Sequence, residues 1–390
     1  MSQVFPALVA TLTAQLLVSM AVGAGPVLAP AAAVDIGIGP ELVGTYIGIV
    51  YAMAATAGLM SGSLIARFGA MRMTQVSLVL SAVGLVIGVA ALPLTTLLCA
   101  LVLGFANGPT TPSSSTVLAR VTPAKWRNAV FSTKQMGVPL GNALAGLLMP
   151  VLAFAFGWKA AAIVGAAMCA VLALALQPLR ARLESERDPS RRVLSLQYLA
   201  SALALIGRTP ALRRLSTMSF VYAGMQNCFG GFLVTYLHDR LHMTLVEAGS
   251  VLAVSLTAGA IARLIWGALT DRWINPYRLL GALGIGMSVC ALLTASFTSN
   301  WPYAAVVAVG CAFGMTTTAW NGVFLAQIAV LSPPGRVGDA TGGTQFLTFG
   351  GVTIMPVLFS VVLTLTGSYA IGYTAMAGMT LAAGLWILRR

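Results

Sequence analysis

Long runs of apolar residues, separated by short polar stretches, cover almost the whole chain. A helix needs about 20 apolar residues to cross the hydrocarbon core of a bilayer. Divided at the polar stretches, the pattern predicts twelve membrane crossings, and almost nothing remains for a soluble domain. The crossings cover approximately residues 7–31, 42–64, 74–93, 96–118, 129–156, 159–178, 215–237, 245–268, 278–297, 302–330, 341–366 and 368–388. The predicted fold class is therefore an all-α integral membrane protein.

One long polar stretch divides these crossings six and six. It carries Glu184, Glu186, Asp188, Arg191 and Arg192 and is predicted to be a cytoplasmic linker. The predicted domains are an N-terminal six-helix bundle at 1–179, the linker at 180–213 and a C-terminal six-helix bundle at 214–390.

Composition supports the membrane class and charge sets the orientation. Hydrophobic residues make up 58% of the chain and charged residues 8%, and the mean hydropathy is +0.91. The net charge of +13 is compatible with nucleic-acid binding, but 18 of the 22 basic residues fall on one side of the predicted membrane. Cytoplasmic loops are enriched in Lys and Arg. We therefore expect both termini in the cytoplasm and no nucleic-acid partner.

The basic residues also bear on the source of the chain. Only three of the 22 are Lys, and Ala is abundant, which favours a bacterial protein of the inner membrane. The first crossing lacks the basic region and cleavage site of a signal peptide, so we interpret it as a retained helix.

The two halves repeat one plan. Glycine, alanine and threonine positions in the fourth crossing recur in the tenth, 206 residues later, and Glu41 recurs as Glu247 at the same offset. The recurring positions are Gly104, Ala106, Gly108, Thr110 and Thr111, matched by Gly310, Ala312, Gly314, Thr316 and Thr317. Halves related by a pseudo-twofold axis along the membrane normal are typical of secondary transporters.

The loop after the eighth crossing reads Gly267-Ala268-Leu269-Thr270-Asp271-Arg272, which resembles the GxLxDR signature of the major facilitator superfamily. The equivalent loop after the second crossing, 62–69, keeps its glycines and arginine but has Ala66 in place of the aspartate. The resemblance covers essentially the whole chain and implies alternating access. It also implies gating roles for Gly62, Arg67, Gly69, Gly267, Asp271 and Arg272.

Two cations, Lys134 and Arg263, lie inside predicted crossings, and no carboxylate lies at comparable depth. A charge near the bilayer centre costs roughly 2.5–3.5 kcal/mol on insertion scales, so the pattern favours an anionic cargo. Arg263 lies about 6 Å from the middle of its helix at 1.5 Å per residue, and guanidinium can bind a carboxylate through two parallel hydrogen bonds. It resembles the anion-binding arginine of oxalate and monocarboxylate carriers. The alternative is that Arg263 ties its helix to a neighbour's carbonyls or to the signature loop.

Lys134 lies closer to the cytoplasmic end of its helix. Besides binding substrate, its side chain could snorkel to water or contact an acid such as Asp271 or Asp339. Thr344 occupies the matching position in the other half, so a charge there is not a general requirement of the scaffold.

Polar residues inside crossings are further candidates for substrate binding, although interhelical hydrogen bonding is the alternative for each. They are Gln15, Tyr46, Asn107, Tyr222, Gln226, Asn227, Trp320 and Asn321. All nine acids map to loops or helix ends, so Glu41 and Glu247 at the outer mouth are the candidates for proton coupling.

The sequence thus predicts a secondary carrier for small organic anions of monocarboxylate type, with Arg263 as the anion anchor. Proton symport and exchange against a counter-anion both remain open. The alternatives are an exporter of neutral or drug-like metabolites, in which both cations are structural, and a sensor that does not transport. We expect a monomer in the lipid bilayer without metal or cofactor, and no motif favours an enzyme.

Overall fold

A computed structural model of the protein describes residues 3–37, 43–184, 187–188 and 196–389. Within these ranges the chain forms sixteen α-helices and no strand, which confirms the predicted all-α class. The helices are α1 Val4–Ile36, α2 Val43–Phe68, α3 Ala70–Gly88, α4 Pro93–Val121, α5 Arg127–Gln135, α6 Gly137–Phe156, α7 Trp158–Ala175, α8 Gln177–Leu183, α9 Leu196–Arg208, α10 Pro210–Leu241, α11 Leu245–Arg272, α12 Pro276–Ala295, α13 Tyr303–Thr317, α14 Asn321–Leu331, α15 Val337–Thr366 and α16 Tyr369–Leu388.

Eleven segments in the described part of the chain are long and apolar enough to cross a membrane. Two of them contain a break: 124–156 comprises α5 and α6, and 303–331 comprises α13 and α14. The predicted seventh crossing falls on α10, which has 32 residues but is not among the eleven. Charged residues lie near both of its ends, and Gln226 and Asn227 interrupt its apolar centre.

The chain forms two compact units. Unit 1 contains Met1–Pro123, Thr133–Gly207 and Ile328–Phe346. Unit 2 contains Ala124–Ser132, Arg208–Gln327 and Leu347–Arg390. Each unit therefore includes a short segment from the other half of the sequence. The domain bounds expected from the central linker stay a prediction.

Repeated glycines bring backbones together inside each unit. In unit 1, a Cβ atom at Gly104 of α4 would lie 2.4 Å from the Val50 carbonyl oxygen of α2. A Cβ atom at Gly108 would lie 2.5 Å from the Ala54 carbonyl oxygen of the same helix. In unit 2, a Cβ at Gly314 of α13 would lie 2.0 Å from the Ser255 carbonyl oxygen on α11. Small residues allow this approach where lipid gives no hydrophobic driving force. The 206-residue repeat therefore has a physical basis, because both copies pack through the same glycines.

At the predicted cytoplasmic end, an acid caps one helix in each unit. In unit 2, the Asp271 carboxylate accepts hydrogen bonds from the backbone N–H groups of Asn128 at 2.9 Å and Ala129 at 2.8 Å, and from Asn128 Nδ2 at 2.9 Å. These N–H groups belong to the first turn of α5, whose own helix offers them no acceptor. The negative charge also interacts favourably with the positive end of the helix dipole.

In unit 1 the acid comes from the linker. Glu184 accepts from the backbone N–H groups of Met71 at 3.0 Å and Arg72 at 3.2 Å, in the first turn of α3. Gly69 precedes this helix with φ +94°, and a Cβ there would lie 2.3 Å from the Glu184 carboxylate. Only glycine suits both conditions. Glu184 thus supplies an acid at the corner where Ala66 replaces the aspartate of the signature.

We expect Gly314→Ala to destabilise the protein, because the new methyl group meets the Ser255 carbonyl. Overpacking of this kind costs about 1–3 kcal/mol. The matched control is Gly378→Ala on α16, where a Cβ has no neighbour within 4 Å and the change favours helix by up to about 1 kcal/mol. Thermal unfolding of the purified variants measures both. Equal midpoints for the two variants would contradict the packing argument.

We expect Asp271→Ala to loosen the start of α5. Loss of a charged cap costs roughly 0.5–2 kcal/mol, which corresponds to amide exchange about 2- to 30-fold faster. Hydrogen–deuterium exchange of the peptide covering 127–135 measures the change. Asp35→Ala is the control, because the Asp35 carboxylate binds Trp158 and Lys159 in unit 1. Unchanged exchange in Asp271→Ala would remove the capping role.

Candidate functional site

Lys134 lies at a helix break in unit 1. It is the penultimate residue of α5, which ends at Gln135, and α6 begins at Gly137. A Cβ at Gly137 would lie 2.8 Å from Cβ of Gln15, so this glycine lets the break approach α1 closely. The sequence between 137 and 150 signals the interruption through its glycines and prolines.

The Lys134 side chain is 1% exposed. Its Nζ donates to Oε1 of Gln15 at 2.8 Å and to Oε1 of Gln135 at 2.9 Å. Gln15 Oε1 also accepts from Thr111 Oγ1 at 3.2 Å, and Gln15 Nε2 donates to Ser19 Oγ at 3.3 Å. The five side chains form one buried polar cluster from α1, α4 and α5, which we call the lysine cluster.

The lysine cluster contains a cation without an anion. No carboxylate of the described residues lies within ion-pairing distance of Lys134. The two acids considered from the sequence are engaged elsewhere: Asp271 caps α5, and Asp339 pairs with Arg336 at 2.9 Å. Burial also excludes snorkelling to water in this conformation. An ammonium in such a place loses its hydration and keeps only amide oxygens as partners.

Arg263 lies within α11 and binds a second helix break, the one between α13 and α14 in unit 2. It is 4% exposed, and its Nε donates to the carbonyl oxygen of Thr318 at 3.0 Å. Its Nη2 donates to the same oxygen. Thr318 follows α13, and α14 starts only at Asn321. The guanidinium therefore binds the carbonyl end of an interrupted helix, where the helix dipole favours a cation.

Trp320, inside this second break, is fully buried. Its Nε1 donates to the Thr317 carbonyl at 2.9 Å, and its ring forms a T-shaped contact with the Tyr222 ring at 5.9 Å between centroids. Tyr222 donates its hydroxyl to the Leu280 carbonyl at 2.8 Å. The structure thus gives both aromatic residues partners within the core of unit 2.

The amides of unit 2 are more accessible. Asn321 Nδ2 donates to Gln226 Oε1 at 3.4 Å, and both residues are half-buried. Asn227 is exposed and donates to its own helix at the Ala223 carbonyl, 3.0 Å away. The structure brings Gln226 and Asn321 together and leaves Asn227 apart from them.

Two further candidates lie in unit 1. Asn107 is half-buried on α4, four residues before Thr111 and so on the same face one turn away. The Tyr46 hydroxyl lies 3.4 Å from Cys99 Sγ, and the ring lines a cavity of about 100 Å³ together with Gly25 and Trp158. Their roles in substrate binding stay predictions.

Of the two proton-coupling candidates, only Glu247 lies among the described residues. Glu247 is exposed and forms a capping box with Thr244, whose backbone N–H and Oγ1 both lie 2.9 Å from Glu247 Oε2. Glu41 lies outside the described residues. A coupling role for either stays a prediction.

The gating candidates lie at or near the two caps described above, except Gly62, which lies against Asp339, and their gating roles stay predictions. A Cβ at Gly62 would lie 1.6 Å from Oδ1 of Asp339, and one at Gly267 would lie 2.5 Å from Oγ of Ser132. Arg67 and Arg272 are exposed, and the Arg67 guanidinium lies over the Phe68 ring. The two glycines hold close contacts within their units, which fits a corner where a larger side chain has no room.

Sequence reasoning missed two features of these sites. Gln135 was not among the predicted binding residues, and its proximity to Lys134 depends on where α5 ends. The break at 318–320 was not predicted. Its signal is the run Thr316-Thr317-Thr318, whose hydroxyls all bond back to backbone carbonyls one turn earlier and so compete with regular helix.

Comparison with known proteins places the chain in a family. The model of the Major Facilitator Superfamily matches residues 10–342. Among curated proteins, the gallate transporter of Pseudomonas putida is 28% identical over 255 residues, 57% of this chain and 55% of that protein. The cis,cis-muconate transport protein of Acinetobacter baylyi is 23% identical over 283 residues, 70% of this chain and 66% of that protein. The chain thus spans between half and two thirds of the length of these relatives.

A solved structure extends the likeness over the whole fold. The human organic anion transporter MFSD10 superposes with a TM-score of 0.77 at 16% identity, covering 97% of this chain and 98% of that one. At this identity the likeness concerns the fold alone. The family match over most of the chain establishes that the protein belongs to the Major Facilitator Superfamily of membrane transporters.

Proposed function

We propose that the protein is a secondary carrier for small organic anions, with Lys134 as the residue that binds the anion. The observation that carries the proposal is the fully buried ammonium, whose acceptors are two amide oxygens. A buried charge is stable only when it is paired and hydrogen-bonded. A carboxylate entering the lysine cluster would provide the missing counter-charge.

The surrounding groups fit a carboxylate. Nζ of Lys134 has three donors and Thr111 has a hydroxyl, and ionised carboxylates accept charge-assisted hydrogen bonds that are shorter and stronger than neutral ones. Gln15 links both residues, so displacement of its Oε1 would free two donors at once. The relatives named after gallate and cis,cis-muconate, both organic carboxylates, support the same substrate class.

We assign Arg263 a different role from the anchor expected from its depth. Two of its donors bind the Thr318 carbonyl at the break of α13 and α14. Its primary task in this proposal is to stabilise that break, which corresponds to the structural alternative weighed from the sequence. The positive charge still contributes to the field that favours an anion over a cation in this protein.

A second candidate function is export of neutral or drug-like metabolites. The engagement of Arg263 by a backbone carbonyl favours it, since one of the two cations then has a structural task. The two candidates differ in whether transport depends on the charge of the solute. Proton symport and anion exchange differ in turn in whether a pH gradient or an internal anion drives uptake.

We expect Lys134→Gln to abolish most uptake of benzoate in proteoliposomes, because the counter-charge is lost. Removing a hydrogen bond to a charged group costs about 1.5–3 kcal/mol, which corresponds to a KM about 10- to 150-fold higher. Lys134→Arg keeps the charge and should retain part of the affinity. The matched control is Lys159→Gln, at an accessible lysine paired with Asp35.

The same liposomes test the rival function. One outcome is that neutral benzamide is taken up at the same rate as benzoate and that Lys134→Gln changes neither rate. This outcome would favour the exporter and contradict the anion proposal. An imposed pH gradient and, separately, internal benzoate then identify the driving force.

We expect Arg263→Gln to lower the thermal unfolding midpoint and to change the KM of the folded fraction less than tenfold. It removes charged donors from a buried carbonyl, which costs about 1–3 kcal/mol. Arg263→Lys should recover part of the stability, since it restores one cationic donor. A KM raised at least tenfold with an unchanged midpoint would return Arg263 to the role of anion anchor.

A further inference from the structure

Three arginines of unit 2, two within helices and one directly after a third helix, line one groove. Arg214 lies in the second turn of α10, Arg278 in the first turn of α12, and Arg389 directly follows α16. The groove has a volume of about 570 Å³, and its other lining residues are Ala211, Asn275, Tyr277, Ile387 and Leu388. We call it the arginine groove. It lies apart in the chain from the lysine cluster and from Arg263.

Local contacts fix the walls of the arginine groove. Arg214 Nη1 donates to the Arg389 carbonyl oxygen at 2.6 Å, which ties α10 to the end of α16. Asn275 Oδ1 accepts from the backbone N–H groups of Tyr277 at 2.9 Å and Arg278 at 3.4 Å, which fixes the start of α12. A Cβ at Gly281 would lie 2.5 Å from the Leu388 side chain, so α12 and α16 are in close contact here.

The charge of the arginine groove is not balanced by its own lining. No carboxylate is among the lining residues, and none of the three arginines forms an ion pair with the residues that the structure describes. Three like charges facing one concavity repel each other, and an anion between them relieves the repulsion. Arginine in particular suits phosphate, because its planar fork binds two oxygens at once.

The surroundings place the arginine groove at the membrane surface. It lies on the side that the distribution of basic residues predicts to be cytoplasmic. Trp273, two residues before Asn275, is 75% exposed, as expected of an aromatic residue at the lipid headgroups. On α16, Leu381, Leu385 and Leu388 are 38%, 44% and 40% exposed. Their spacing of four and three residues forms an apolar stripe that leads from the groove into the hydrocarbon region.

We propose that the arginine groove binds the phosphate of an anionic phospholipid in the cytoplasmic leaflet, with an acyl chain lying along the leucine stripe of α16. Basic pockets between helices on this side of a membrane are suited to anionic headgroups. The apolar stripe distinguishes a lipid from free phosphate, since a soluble anion gains nothing from it. The site does not depend on which solute the protein carries.

Native mass spectrometry of the purified full chain, titrated with phosphatidylglycerol, tests the site. We expect one lipid to bind preferentially over phosphatidylcholine, and Arg278→Ala to weaken it about tenfold or more. The Arg278 side chain is exposed and forms no hydrogen bond or ion pair with the described residues, so this variant should fold. The double variant Arg214→Ala/Arg278→Ala should weaken binding further.

The matched controls are Arg182→Ala and Arg208→Ala, at exposed arginines outside the groove. Equal weakening by the controls would mean that the whole basic surface, and not the groove, attracts the lipid, and would overturn the proposal. So would equal affinity for phosphatidylcholine. A third measurement is thermal unfolding with inorganic phosphate: stabilisation equal to that by phosphatidylglycerol would make the groove a site for a soluble anion and overturn the lipid assignment.

Discussion

Backbone groups inside a bilayer have no water to bind, so every interruption of a membrane helix requires a polar partner at that depth. This constraint explains the placement of Arg263, whose partner is a backbone carbonyl. The guanidinium of Arg263 binds the carbonyl left at the end of α13, and Lys134 lies beside Gln15, one residue before the end of α5. The two interruptions also bring charge and hydrogen-bonding capacity into an otherwise apolar scaffold. In secondary transporters, interrupted helices are where substrates and ions bind. The two buried cations of the described residues therefore lie beside, or bind to, the two helix breaks.

The parts of the fold that depend on composition along the chain could be predicted from the sequence. Apolar runs of sufficient length locate the helices, and the spacing of Gly104, Gly108, Gly310 and Gly314 indicates the repeat. The candidate site was predictable only as a set of residues. The depth of Arg263 in the membrane can be predicted by counting residues along its helix. Its carbonyl partner could not be predicted, because that carbonyl is available only since α13 ends at Thr317. For Lys134, its position in the sequence was compatible with a side chain that reaches water. The hydrogen bond to Gln15 depends on the close approach of α1 at Gly137, which the sequence does not show.

The same packing device holds each unit together. A glycine of α4 or α13 lies against a carbonyl of α2 or α11, so main chains are in contact without intervening side chains. Contacts of this kind leave little room for relative sliding, because interiors at native density transmit displacement and do not absorb it. Each of the helix pairs α2–α4 and α11–α13 is thus suited to behave as a rigid body. The helices with breaks are the elements that can adapt.

The carboxylate of Glu184 gives the linker a function besides joining two bundles. Together with the hydrogen bond from Asp188 N–H to the Ala66 carbonyl at 2.8 Å, it attaches Glu184 and Asp188 to the corner between α2 and α3. The part of the linker left to connect with α9 is correspondingly shorter than the polar stretch as a whole. The number of residues between Asp188 and Leu196 therefore sets the maximum distance between this corner and the start of α9. An insertion after Asp188 would lengthen this connection and leave the corner intact, whereas a chain break before Glu184 would separate the capping acid from α8.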